Sequence, residues 1–156
     1  HANNSYHALN RIINFFPHDA RNALLGDLAS SLKAIISQRL VKSVDGGLVA
    51  AVEILLNNKH IQELIVRSEI DQIKEAIEKS LSPGSMSFEQ SLFALYARGS
   101  ITREEALRNS DSATNLAWIM NNAEQGGSRG GAKTPRPEAA PAASFDNFKI
   151  DIHAGN

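Results

Sequence analysis

Apolar residues recur at helical spacing along most of the chain, and at a period of two in only one stretch. Leu9, Ile12, Ile13 and Phe16 mark a first helix. Pro17 ends it, because proline offers no backbone donor and restricts the residue before it. Asn3, Asn4 and Ser5 are its candidate N-caps. A second stripe of Leu24, Leu28, Leu32, Ile35 and Ile36 predicts a helix of about twenty residues from Asp19, the longest of the chain and the spine of its core. The period then changes. A hairpin is expected over about residues 38–56, turning at Asp45-Gly46-Gly47, since glycine takes positive φ freely. Leu48, Ala50, Val52, Ile54 and Leu56 share one face of its second strand. Val49, Ala51 and Leu55 share the other with Glu53, so cover on both faces is expected.

Helical spacing returns after the hairpin. Asn57 or Asn58 caps a third helix with Ile61, Leu64 and Ile65, and a fourth holds Ile70, Ile73 and Ile77. Ser82-Pro-Gly-Ser reads as a loop. Ser87-x-x-Gln90 and Thr102-x-x-Glu105 read as capping boxes. Phe88, Leu92, Leu95 and Tyr96 lie on the helix between them. Ser110 or Asp111 starts a last helix with Leu116, Ile119 and Met120. The expected organisation is one domain over residues 1–124 and a Gly/Pro/Ala-rich flexible tail over 125–156. Phe145, Phe148, Ile150 and Ile152 near the tail's end leave a short docking segment or a plain disordered terminus as alternatives.

The 156 residues suffice for one real core, and 42% apolar with 21% charged residues is ordinary for a globular protein. Sixteen basic against seventeen acidic residues give a net charge of −1, which makes no case for a nucleic-acid or anionic-membrane binder. No signal peptide or membrane-span pattern is seen. The first residue is His1 rather than methionine, so a fragment of a longer chain is expected. With no cysteine, disulfides and thiolate metal sites are excluded, and a reducing compartment fits.

Candidate chemistry is sparse. Gly127-Ser-Arg-Gly-Gly-Ala-Lys-Thr134 nearly matches a phosphate-binding loop, with Ala132 where the pattern needs glycine. A working loop follows a strand and opens a helix, whereas this one follows a helix and runs into Pro135. His1, His7, His18, His60 and His153 have no i, i+4 metal spacing. Glu53 reads first as a carboxylate paired with an arginine or a backbone donor, and second as a catalytic base. By motif, the chain is mostly α with one β-hairpin and has no self-contained active site.

Three stretches together resemble the type IV pilus twitching-motility retraction ATPases, the PilT/PilU family. His1-Ala-Asn-Asn with Leu9-Asn-Arg-Ile-Ile-Asn-Phe-Phe-Pro17 is similar to the end of that family's histidine box and the helix after it. Ile35-Ile-Ser-Gln-Arg-Leu40 and Val49-Ala-Ala-Val-Glu-Ile-Leu55 resemble the next block. Phe88-Glu-Gln-Ser-Leu-Phe-Ala-Leu-Tyr-Ala-Arg-Gly99 and Ile101-Thr-Arg-Glu-Glu-Ala-Leu-Arg-Asn109 resemble the C-terminal helices. The wording leans toward the PilU-like branch.

The resemblance implies the C-terminal part of an α/β RecA-like P-loop ATPase domain. It implies a cytoplasmic motor, peripheral at the inner membrane pilus base, with ATP and Mg2+ as cofactors of the full-length parent. The Walker A and Walker B segments would lie upstream, leaving the fragment itself without ATPase activity. Implied partners are five further copies in a homo-hexamer, or a paralogous retraction ATPase, and the inner-membrane pilus platform protein; nucleic acid is not among them. His1 matches the last histidine of the box, implied to face the nucleotide. The segment Asn58–Arg67 aligns with the retraction motif, whose residues here are His60, Ile61, Gln62, Glu63 and Leu64. Ile61 and Leu64 keep its apolar spacing, while His60, Gln62 and Glu63 replace its Ala, Arg and Asn. Related extension motors carry a tetracysteine loop where this chain has a tight Asp-Gly-Gly turn, which also favours retraction. The alternative reading is a helical interaction or adaptor module without nucleotide chemistry.

Overall fold

The computed structural model describes residues 2–79 and 81–126. Helices α1 (Ser5–Asn14) and α2 (Arg21–Ser31) precede a hairpin of β1 (Ala34–Lys42) and β2 (Leu48–Leu56). Then follow α3 (Lys59–Val66), α4 (Gln72–Glu78), α5 (Phe88–Ala97), α6 (Arg103–Asn109) and α7 (Ala113–Gly126). His1, the near phosphate loop at 127–134 and the tail end at 145–152 lie outside the described residues.

The local start signals work as expected. Asn4 Oδ1 caps α1 by accepting from His7 N–H at 3.0 Å, and Asn58 Oδ1 caps α3 by accepting from Ile61 N–H at 2.9 Å. Ser87 and Gln90 form a complete reciprocal box at the start of α5. The second box is half formed. Thr102 Oγ1 accepts from Glu105 N–H, but the Glu105 carboxylate accepts from Lys42 N–H at 3.1 Å and so ties α6 to β1.

The second helix departs from expectation. It stops at Ser31, and Ile35 and Ile36 belong to β1, so the longest described helix is α7. The stripe from Leu24 keeps a helical period across that boundary, but Asn57 cuts it short. Asn57 Nδ2 donates to the carbonyls of Ala29 and Leu32 at 2.9 and 2.7 Å, and Asn57 N–H donates to Lys33 O at 3.0 Å. These bonds satisfy carbonyls that a helix end leaves open and release the chain into the strand. The hairpin therefore spans 34–56 rather than 38–56.

β1 and β2 pair antiparallel from Ala34↔Leu56 to Lys42↔Leu48. Gly46 supplies positive φ at the turn, and the Asp45 carboxylate accepts from Ser43 Oγ and Gly47 N–H. The inward face divides between two cores. Leu55 packs with Leu9, Ile13, Leu25, Ile61, Ile65 and Ile73 from α1 to α4. Val41 and Ala51 pack with Phe88, Leu92, Leu95, Ile101, Leu116 and Met120 from α5 to α7 and the loop before α6. The hairpin thus joins the two helical layers.

Its other face corrects the expectation of cover on both sides. Ile36, Leu40 and Leu48 on that face are 70%, 59% and 64% exposed. Among the described residues β1 pairs with β2 alone, so its far edge offers a row of strand donors and acceptors.

Candidate functional site

Glu53 lies on the inward face of β2 between the two cores and is almost wholly buried. Its Oε1 accepts from Ser5 N–H, the first residue of α1, at 2.6 Å. A carboxylate at a helix N-terminus satisfies an orphan donor and meets the positive end of the helix dipole. Burial pushes the Glu53 carboxyl above the usual carboxylate range, and the hydrogen bond from Ser5 N–H opposes that rise without cancelling it. The paired, structural reading of Glu53 is the one observed, with a backbone donor rather than an arginine as partner.

Next to Glu53 is a cluster that sequence reasoning missed. Arg39 projects from the same face of the hairpin, its Cζ 3.8 Å from the centre of the buried Phe88 ring. Its Nη1 donates to Asn109 O at 2.6 Å. Its Nη2 donates to Asn3 O at 3.1 Å and to Asp111 Oδ1. Asn4 Nδ2 donates to the second Asp111 oxygen at 3.1 Å. Glu89, buried at the start of α5, accepts from Ser112 N–H at 2.9 Å and lies 3.7 Å from Lys74 Nζ. The residues beside His1, the hairpin and the start of α7 therefore meet in one polar network. The available signal was an arginine on a face otherwise made of Ile35, Ser37 and Val41.

The residues expected from the resemblance to match the retraction motif lie on α3 as a helix face, not as a converging site. Ile61 and Leu64 are buried, His60 and Gln62 half-buried, and Glu63 exposed. Gln62 and Glu63 line a shallow groove of about 380 Å³ with Gly26, Ala29 and Ser30 of α2 and with Lys59, Val66 and Arg67. Its floor is small side chains and its rim carries both signs of charge.

Among the described residues no glycine-rich loop joins a strand to an open helix N-terminus. The turn at Gly46 leads into a strand, and the loop at Gly84 leads to α5, whose Ser87 and Gln90 amides are taken by its capping box. Among them no group of three His, Asp or Glu could hold a metal ion, and no helix is long and apolar enough to cross a membrane.

No family model matches the chain. It is 44% identical over 121 residues to the type IV pilus ATPase PilU of Pseudomonas aeruginosa, covering 77% of this chain and 32% of that protein. It is 33% identical over 106 residues to the type IV pilus retraction ATPase PilT of the same organism, covering 68% and 31%. Its structure superposes on that of the pilus retraction motor PilT with bound ADP at a TM-score of 0.67 and 30% identity, over 76% of this chain and 33% of that one. The helices and hairpin are thus part of the RecA-like fold of secretion ATPases. The chain spans about a third of the length of the curated relatives it matches. Through that shared third, the chain belongs to the PilT/PilU family of pilus retraction ATPases.

Proposed function

We propose that the chain is the C-terminal part of a hexameric motor ATPase that drives type IV pilus retraction. The identity with PilU carries this reading. The hairpin supports it: a nine-residue edge strand and an apolar face of Ile36, Leu40 and Leu48 are what a larger ATPase sheet would pair with and cover. In this reading the Walker A and Walker B segments lie upstream of residue 1 and hold ATP and Mg2+. His1 faces the nucleotide, where an imidazole can donate or accept near neutral pH. The α3 face with His60, Gln62 and Glu63 meets a moving partner, and Ile61 and Leu64 hold it on the core. The motor works as six copies, or with a paralogous ATPase, on the platform protein at the cytoplasmic face of the inner membrane. The experiment is deletion of the gene in its source organism. Twitching should fall while surface pili persist. Loss of surface pili would indicate an extension motor, and unchanged twitching would remove the retraction reading.

A further inference from the structure

Residues 3, 4 and 5 are each held by a different group. The Asn3 carbonyl takes a hydrogen bond from Arg39, the Asn4 side chain donates to Asp111, and Ser5 N–H donates to Glu53. The first two holds are linked, because Arg39 also donates to the Asn109 carbonyl at the end of α6 and to Asp111 within the connection to α7. The Arg39 and Asp111 side chains are only 19% and 15% exposed, so the pair is shielded from much of the screening that weakens surface pairs. Guanidinium suits this place. It is planar, always charged and carries five donors in a fixed fork, and the Phe88 ring sets its plane. An ammonium would keep the charge and three donors, but on one tetrahedral nitrogen instead of a planar fork that donates from both Nη1 and Nη2. The Asn3 carbonyl therefore cannot shift without disturbing the bonds that fix Asn109 and Asp111.

We propose that Arg39 is a positioning residue that locks the segment after His1 to the α6–α7 connection, so that the two move as one unit. What that unit does rests on the motor reading, in which His1 faces the nucleotide; the lock itself does not.

The test uses the longer protein with Arg39→Lys, which keeps the charge and drops the fork, and with Asp111→Asn. Amide hydrogen exchange should speed by about tenfold or more at residues 3–8 and at 110–115 together in both variants, with α3 and α4 unchanged. In the same preparations kcat for ATP should fall about tenfold while KM for ATP stays within about twofold, since the lock places a group without binding nucleotide. Unchanged exchange at 3–8 in a folded Arg39→Lys protein would overturn the lock. Loosened exchange with kcat intact would overturn the positioning role. If Arg39→Lys does not fold, Asp111→Asn decides both points. If the unmodified protein hydrolyses no ATP, the motor reading falls and the exchange result still decides the lock.

Discussion

Phe88→Ala should cost about 3–5 kcal/mol of stability, the range expected for truncating a fully buried phenylalanine. Phe88 is wholly enclosed in the core of α5, α6, α7 and the hairpin. The loss has two parts. The removed ring leaves a cavity that Leu92, Leu95, Leu116 and Met120 cannot fill without leaving their own contacts. Arg39 also loses the surface that fixes its guanidinium plane, a stacking contribution of about 0.5–2 kcal/mol. Phe88→Leu should cost clearly less, because it keeps most of the volume. Urea unfolding of both variants measures the difference. A loss below about 1 kcal/mol for Phe88→Ala would show that this core repacks and that Phe88 is no keystone.

The paired change Ile36→Lys with Leu40→Glu should give opposite results in two settings. In the chain described here both side chains stand on the open face of β1, so stability should move by no more than about 1 kcal/mol. In the longer protein the same face is proposed to be covered. Two charges buried there without partners would cost several kcal/mol, and ATP hydrolysis should fall by about 100-fold or more. Thermal unfolding of the chain and turnover by the longer protein check the two halves. Full activity of the longer variant would mean that nothing packs on this face.

Much of the fold was legible because its signals are local. Asn4, Asn58 and the Ser87–Gln90 box act within three residues of themselves. The end of α2 was not legible, because Leu32 and Ile35 continue the helical period and the group that stops it, Asn57, is 25 residues beyond Leu32. The open face of the hairpin was misjudged for a related reason. Apolar residues on both faces of β2 lead to an expectation of cover on both sides, but among the described residues only one face is covered. Glu53 announced itself as an acid in an apolar run, and only the fold showed that its partner is the Ser5 amide. Arg39 gave the weakest signal, because its partners lie 36, 70 and 72 residues away and two of them are backbone carbonyls. The α3 motif was found by likeness, and its helix is present as read. Gln62 and Glu63 form an open groove wall rather than a site with visible chemistry.

In the proposed motor this chain carries coupling and packing surfaces, and the nucleotide chemistry belongs to upstream segments. ATP hydrolysis by the longer protein, set beside thermal unfolding of residues 1–156 with and without ATP and Mg2+, tests it most directly. Steady hydrolysis by a six-subunit assembly is expected, with no ATP-dependent shift in the unfolding of the shorter chain. A clear stabilisation of residues 1–156 by ATP, or no hydrolysis by the longer protein, would contradict it.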